Sequence, residues 1–283
     1  MLSLRPHGFP LCQRIFTFVC LCSALQSCRN DGTEPELPPE PKAEFRLDRF
    51  SGRPVADEKH ATAMIVSRNV NAPLAGETAP DGIAINATTG KSQFLHNLIG
   101  KKPAVLIFGS TSCSNFDMNH EPIGRLCQQF GNQFDFIFIY IREAHPKGGY
   151  NPKVKMDDVD VETPTSIDPS TIEDRINLAL QLKTKISSKL KCYVDTMDDA
   201  LAVRWGAWPD RVFVVSPTRK VIYSGGPGPW HFNISKDYWH VPPPPWMESI
   251  FRERGVPKRS LEEFLGTYSA SSLSLRSSLP PNN

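Results

Sequence analysis

Residues 104–116 read AVLIFGSTSCSNF, a strongly apolar run followed by a short polar turn. The run 104–108 would be apolar on both faces of a strand, which is typical of a central strand in a parallel sheet. Cys113 stands where this strand gives way to a helix. A thiol at the start of a helix lies near the positive end of the helix dipole, which lowers its pKa and favours the thiolate. The stretch therefore predicts a buried strand that ends in a nucleophilic cysteine.

Similar patterns along the chain predict an alternation of strands and helices. Strands are predicted at 83–87, 104–108, 134–141, 190–194, 211–215 and 221–224. Helices are predicted at 114–130, 170–186, 198–205 and 261–268, a helix or turn at 91–99, and a long loop at 142–169. Alternating strands and helices form parallel βαβ units. With a closing hairpin and a final helix, they predict an α/β fold, a thioredoxin-like sandwich with a central mixed β-sheet flanked by helices.

Cysteine usage, charge and hydropathy exclude several classes of protein. Four of the seven cysteines fall within the first 28 residues, and the others are Cys113, Cys127 and Cys192. An odd number in the folded region, without CxxC or Cys/His spacing, predicts neither a disulfide framework nor a metal site. A net charge of +2 without a basic run gives no reason to expect nucleic-acid binding. No stretch is apolar for the eighteen or so residues that a membrane-spanning helix needs.

The first residues resemble an export signal of the bacterial lipoprotein type. Arg5 and Arg14 precede a short apolar segment, 15–25, and LQSC at 25–28 resembles a processing site at which Cys28 is lipidated. An ordinary cleaved signal peptide is the alternative. We therefore expect an exported protein, anchored by lipid to a bacterial membrane on its periplasmic or cell-surface side, or else secreted.

The domain organisation follows from composition. Residues 1–28 are the expected signal peptide. Residues 29–75 form a Pro- and Glu-rich linker followed by a poorly defined segment. The polar, Pro-rich part, 29–45, cannot bury enough apolar surface to fold, whereas 46–75 is ambiguous and expected to be partly ordered. Residues 76–268 form the predicted thioredoxin-like domain, and 269–283 a flexible tail.

Several ordered motifs resemble the iodothyronine deiodinase family. The family's active-site run, Phe-Gly-Ser-Cys-Thr-Sec-Pro-Pro-Phe, is similar to FGSTSCSNF at 108–116, which places Cys113 at the selenocysteine position. Its Tyr-Ile-Glu-Glu-Ala-His is similar to YIREAH at 140–145. Further similar runs are IEDR at 172–175, DTM at 195–197, WGAWPDR at 205–211 and GGPGP at 225–229. The chain thus resembles a bacterial-type member with cysteine in place of selenocysteine.

The resemblance implies reductive deiodination of iodinated aromatic compounds, of the thyroxine 5'-deiodinase kind, with Cys113 as the nucleophile. His145 would donate or relay a proton, and Glu143 would orient the imidazole. Ser110 and Asp210 are the expected substrate-binding residues. No cofactor is expected, but an external thiol must act as electron donor, and the family implies a possible homodimer.

Two departures from the family pattern bear on this expectation. Thr111 stands where the family has a second cysteine, and Pro227 where it has a late arginine. The first removes an adjacent partner thiol, so that Cys127, Cys192 or an external thiol would regenerate Cys113. The second removes a charge-assisted contact to the substrate.

Two other functions stay open from the sequence. One is a peroxiredoxin-like peroxidase or thiol-disulfide oxidoreductase, for which peroxide would replace the aromatic halide as substrate, although the Pro-x-x-x-Thr-x-x-Cys pattern is missing. The other is a non-catalytic binding protein of the thioredoxin fold. Pro209 is a candidate for a cis peptide bond facing Cys113, as in thioredoxin-like folds.

Overall fold

The computed structural model describes residues 57–151, 154–156, 159–161, 164–236 and 242–277. The expected signal peptide, the lipidation residue Cys28, linker residues 29–56 and tail residues 278–283 lie outside these ranges. Within them the strands are β1 Ile83–Asn86, β2 Ser92–Phe94, β3 Ala104–Gly109, β4 Asp135–Tyr140, β5 Val154–Met156, β6 Val159–Val161, β7 Lys191–Val194, β8 Arg211–Val215 and β9 Val221–Ser224. The helices are α1 Glu58–Asn71, α2 Ser114–Met118, α3 His120–Phe130, α4 Ile172–Ile186, α5 Ala200–Arg204, α6 Pro245–Glu253 and α7 Leu261–Ser277, with a 3-10 turn at Leu95–Leu98.

Seven strands form one mixed sheet in the order β2-β1-β7-β4-β3-β8-β9. The central strands β7, β4 and β3 are parallel, and the hairpin β8–β9 runs antiparallel beside β3. Parallel units followed by an antiparallel hairpin and a closing helix make the thioredoxin-like arrangement, so the predicted fold class is confirmed. Gly109 pairs with Tyr140 at the carboxyl ends of β3 and β4. The segments that follow these two strands therefore meet at one edge of the sheet.

The core lies on both faces of β3 and β4. Every residue of β3 is buried, as is all of β4 except its first residue. Phe116 of α2 stacks on Phe138 of β4 with ring centroids 5.5 Å apart, and Phe108 packs edge-on against Phe213 of β8. Because β3 and β4 are buried on both faces, the central strands have no solvent-facing side, which explains their unbroken apolar sequence.

The helix predicted over 114–130 is two helices that meet at Asn119. A continuous helix would need an N–H at Pro122 to bond the Met118 carbonyl, and proline has none. The Asn119 side chain instead donates to the Asn115 carbonyl, 2.7 Å away, at the end of α2. The short α2 is thus set apart from α3.

Helix α1 lies within 46–75, the segment that the sequence left ambiguous and predicted to be partly ordered. Met64 and Arg68 on its inner face are fully buried. Asn69 accepts a hydrogen bond from the Arg211 guanidinium at 2.9 Å, and the Arg68 carbonyl lies where a side chain at Gly206 would stand. The folded part of the chain therefore begins at least as early as Glu58, before the predicted boundary at residue 76.

Four other segments differ from the sequence prediction. The predicted loop 142–169 contains the two-stranded ladder β5–β6, and 91–99 contains strand β2 and a 3-10 turn. Helix α6 was not predicted. Helix α7 continues to Ser277, so that part of the predicted flexible tail is helical.

Candidate active site

Cys113 lies in a tight turn between β3 and α2. Its N–H donates to the Ser110 carbonyl, and its own carbonyl accepts from the Asp117 N–H of the first helical turn. Gly109 allows the turn to close, since a Cβ there would lie 2.5 Å from the Phe116 ring. The side chain of Cys113 is 2% exposed. The sequence therefore placed this residue correctly, at the carboxyl end of a central strand.

The thiol of Cys113 donates a hydrogen bond to Oδ2 of Asp210, with Sγ and Oδ2 3.5 Å apart. Asp210 is fully buried and also accepts from Nδ2 of Asn115 at 2.5 Å and from the N–H of Gly228 at 2.7 Å. Asp210 immediately follows Pro209, whose peptide bond with Trp208 is cis, as the sequence suggested. The predicted substrate-binding residue Asp210 thus lies against the thiol itself.

The pKa of Cys113 is raised well above its ordinary value, first by burial and then by the Asp210 carboxylate. The prediction of a lowered thiol pKa is wrong for this structure. Helix α2 has only five residues and its dipole is correspondingly small, so that desolvation of the thiolate outweighs it. Burial likewise raises the pKa of Asp210 to about 6, although its three hydrogen bonds act in the opposite direction.

Glu143 is buried on the other side of the Cys113 turn. Its Oε2 accepts from both the N–H and the hydroxyl of Ser112, and its Oε1 accepts from the hydroxyl of Tyr140. The Tyr140 hydroxyl in turn accepts from the Thr111 N–H. Burial raises the pKa of Glu143, and the Ser112 and Tyr140 hydrogen bonds limit the rise. Glu143 therefore ties the loop after β4 to the turn after β3.

His145 is held through its backbone rather than by Glu143. Its N–H donates to Ser112 Oγ at 2.9 Å, and its ring Nδ1 lies 3.2 Å from the Tyr150 carbonyl. A carbonyl only accepts, so Nδ1 carries the proton and Nε2 is an acceptor. Burial lowers the pKa of His145. Among the contacts of the described residues, none joins Glu143 to the imidazole, and the predicted orienting role of Glu143 is not what this structure shows.

The remaining predicted site residues occupy other places. Ser110 is fully buried, and its Oγ accepts from the Ala144 N–H at 3.3 Å, which ties the turn after β3 to the loop after β4. Cys127 on α3 lines a cavity of about 220 Å³ with Phe134 and Asp135, at the amino end of β4. Cys192 on β7 directs its thiol to the Ala179 carbonyl, and β4 separates β7 from β3.

Neither of these two thiols is therefore placed beside Cys113. All three described cysteines are free, and burial raises the pKa of both Cys127 and Cys192 to about 12.

Three residues of the site escaped the sequence prediction. Ser112, Tyr140 and Asn115 make the hydrogen bonds that hold Glu143 and Asp210. Ser112 and Asn115 flank Cys113 within two residues, and Tyr140 ends a strand at the same edge of the sheet. This closeness to Cys113 was the sequence signal by which the three residues could have been found.

The described part of the chain has no group of three His, Cys, Asp or Glu side chains that could hold a metal ion. None of its helices combines the length and the hydropathy that a membrane span requires.

The family model described as iodothyronine deiodinase matches residues 63–239. The chain belongs to this family. The match begins inside α1 and includes Cys113, Glu143, His145 and Asp210, so the whole site lies within the deiodinase region. It also agrees with the folded part of the chain beginning before residue 76.

Deiodinase relatives agree with this assignment. The chain is 30% identical over 163 residues to a thyroxine 5-deiodinase of Sparus aurata, with 57% of each chain covered. It is 34% identical over 138 residues to a thyroxine 5-deiodinase of Gallus gallus, covering 48% of this chain and 50% of that one. The chain thus spans about half the length of the curated relatives it matches.

A solved thioredoxin domain of a thiol-disulfide oxidoreductase from Bacteroides vulgatus is 15% identical, with a TM-score of 0.36. The likeness covers 54% of this chain and 89% of that one. A likeness of this strength adds nothing to the fold, which the strand order establishes.

Proposed function

We propose that this deiodinase-family chain is a thiol-dependent oxidoreductase that removes iodine reductively from iodinated aromatic compounds, with Cys113 as the nucleophile. The observation that carries the proposal is the place of Cys113. Within the family-matched region it lies in the turn after a central strand and contacts a buried carboxylate, beside the loop that follows the neighbouring strand. Family membership supports the reaction class, and the position and contacts of Cys113 support its role as the nucleophile.

The proposed chemistry balances with one thiol and one aryl iodide. Sulfur attacks iodine, an S–I bond forms and the C–I bond breaks. The electron pair of the C–I bond stays on the ring carbon, which takes up a proton, so that sulfur is oxidised to a sulfenyl iodide and carbon is reduced. An external thiol then displaces iodide to give a mixed disulfide, and a second external thiol releases Cys113 as the thiol.

The external donor is part of the proposal because no described thiol is placed to resolve Cys113. Cys127 lies toward the opposite end of the sheet, and a whole strand separates β7, which carries Cys192, from β3. Burial also keeps both of these thiols protonated, which makes them slow in exchange.

His145 would act in the reaction as a neutral imidazole rather than as a protonated one. Since burial lowers the pKa of its imidazole, the neutral ring prevails near neutral pH. Nδ1–H is committed to the Tyr150 carbonyl, which leaves Nε2 to accept a proton. We therefore propose that His145 relays the proton that the ring carbon takes up, accepting it at Nε2 before passing it on, with the Ser112–Glu143–Tyr140 hydrogen bonds holding its backbone in place.

Reduction of a peroxide is the second candidate. Cys113 is only 2% exposed, and a small oxidant reaches such a sulfur with less rearrangement than an aromatic ring needs. Attack on the peroxide O–O bond would leave Cys113 as a sulfenic acid and release water or an alcohol. The same external thiols would then restore the thiol.

The test compares the full-length wild type with Cys113→Ser and, as a matched control, Cys127→Ser. Each is given an iodinated phenol and dithiothreitol, and iodide release is measured; hydrogen peroxide consumption is measured in parallel. We expect iodide release that Cys113→Ser abolishes and Cys127→Ser retains. Release that survives Cys113→Ser refutes the nucleophile. Peroxide turnover without iodide release favours the second candidate, and neither activity favours a non-catalytic binding protein.

A further inference from the structure

The contact between Cys113 and Asp210 is a buried donor–acceptor pair. Sγ and Oδ2 are 3.5 Å apart, and the exposed fractions of the two residues are 2% and 0%. A carboxylate only accepts hydrogen bonds when ionised, so the thiol is the donor. The proton of Cys113 is therefore already directed at Asp210 before any substrate arrives.

Two further donors hold the Asp210 carboxyl group against the thiol. Nδ2 of Asn115 donates to Oδ2, and the Gly228 N–H donates to Oδ1. A Cβ at Gly228 would lie 2.2 Å from both Asp210 Oδ1 and Asn115 Nδ2, so only glycine allows this segment to approach so closely. Hydrogen bonds to both oxygens stabilise the ionised carboxylate in a site that otherwise penalises charge.

The charged and titratable surroundings of Asp210 are few. Cys113 faces it from the turn before α2. The neighbouring Arg211 directs its guanidinium to the Gly225 and Gly206 carbonyls and to Asn69, away from the carboxylate. Glu143 is engaged by Ser112 and Tyr140 on the other side of the Cys113 turn. Among the described residues, Cys113 is thus the titratable side chain in contact with Asp210.

We propose that Asp210 is a catalytic residue, the general base that takes the proton of the Cys113 thiol as sulfur attacks its electrophile. This inference rests on the proposed function and deepens it, because it replaces a preformed thiolate with a thiol that is deprotonated during attack. The raised thiol pKa agrees with this order of events, since a buried thiolate beside a carboxylate is unfavourable.

The step balances for an aryl iodide. The S–H proton passes to Oδ2 of Asp210 as the S–I bond forms and the C–I bond breaks. The ring carbon keeps the electron pair of that bond and takes up one proton. Asp210 then loses the proton it accepted, either to the ring carbon or to solvent, and returns to the carboxylate.

The test measures how fast iodoacetamide labels Cys113 in the full-length protein as a function of pH, with peptide-resolved mass spectrometry to separate the cysteines. In this reaction sulfur bonds to carbon, iodide leaves and the proton goes to Asp210. If the reactive form is the thiol beside an ionised carboxylate, the rate falls about tenfold per pH unit below a pH of about 6, the pKa of Asp210, and is level above it.

Asp210→Asn should remove the change of slope near pH 6 and slow labelling at pH 7 by roughly 10–10²-fold. Asn115→Ala should keep the change of slope but move it to higher pH, since the Asn115 hydrogen bond lowers the pKa of Asp210. Circular dichroism will show whether Asp210→Asn folds. If it does not, the pH profiles of Asn115→Ala and of the wild type decide whether Asp210 is the base.

Three results would overturn the inference: no labelling of Cys113 in the folded wild type, a change of slope near pH 6 that persists in Asp210→Asn, or faster labelling of Asp210→Asn at pH 7. The last is the result expected if the carboxylate only raises the thiol pKa. Absence of iodide release from the wild type would refute the proposed function instead, and the labelling profile would still determine the role of Asp210.

Discussion

Replacing Ser112 with alanine should destabilise the protein far more than the same change at Ser110. Both serines are fully buried in the turn after β3. Ser112 Oγ donates to the Glu143 carboxyl group and accepts from the His145 N–H, whereas Ser110 Oγ accepts only from the Ala144 N–H, at 3.3 Å. The pair is thus matched in side chain, burial and location, and differs in the number and charge of its hydrogen bonds.

The magnitude follows from those bonds. A buried backbone N–H left without a partner costs about 1–3 kcal/mol, and loss of a hydrogen bond to a charged group about 1.5–3 kcal/mol. Allowing for non-additivity, we expect Ser112→Ala to lower the free energy of unfolding by about 3–4 kcal/mol and Ser110→Ala by about 1–2 kcal/mol. Both variants stay folded if the wild type has the usual ~5–15 kcal/mol.

The difference should also depend on pH. The Ser112 hydrogen bond lowers the pKa of Glu143, so its removal raises that pKa further. The extra destabilisation is therefore fully present where Glu143 is ionised and shrinks as the pH falls and Glu143 is protonated in both proteins. Urea unfolding of the wild type and both variants, at about pH 8 and about pH 4.5, measures this. Equal losses for the two variants, or a Ser112→Ala loss that does not change with pH, would refute the assigned hydrogen bonds.

Three further predictions concern the site and the rest of the fold. Gly228→Ala should lower the free energy of unfolding by about 1–3 kcal/mol, because the new Cβ would lie 2.2 Å from polar atoms. Gly266→Ala in α7 is the control and should cost nothing, since a Cβ there would have no atom within 4 Å; a similar loss in both variants would contradict the close approach at Gly228. Met64→Ala should lower the free energy of unfolding by about 2–5 kcal/mol, since the side chain is fully buried. Val70 on the same helix is half exposed, and Val70→Ala should change the free energy of unfolding in urea by less than about 0.5 kcal/mol; equal effects would mean that α1 does not pack on the core. Burial raises the pKa of Asp195 to about 7, so the folded state retains a proton that the unfolded chain releases, and the free energy of unfolding should decline as pH rises from about 4 to about 7. Asp195→Asn should reduce this decline by roughly 2–4 kcal/mol in urea or thermal unfolding measured over the same pH range. A decline of unchanged size in that variant would show that Asp195 is not its source.

The parallel strands and the position of the nucleophile were predictable because they depend on local patterns. Continuous apolar runs at β3 and β4 have no other soluble arrangement than burial on both faces. Once β3 and β4 are parallel neighbours, the segments after them must meet, and Cys113 and Glu143 fall at one edge of the sheet. The helix break at Asn119 was also available from the sequence, since Pro122 cannot continue a helix from Ser114.

Helix α1 was harder to predict. Its buried residues include the charged Arg68 and the polar Asn69, and they do not form a clear apolar stripe. Both have partners far along the chain, since Asn69 accepts from Arg211 and Arg68 lies 4.0 Å from the Asp199 carboxylate. Local periodicity carries no information on contacts between residues so distant in sequence.

The sequence by itself determined the fold class, the family resemblance and the place of Cys113 at the end of a central strand, because each depends on residues close together in the chain. Only the tertiary structure decided the chemical state of that cysteine. Asp210 is 97 residues away from it in sequence, yet it accepts the thiol's hydrogen bond at 3.5 Å in a buried site. Burial and a neighbouring charge outweigh the dipole of a five-residue helix, so the expected thiolate is a protonated thiol.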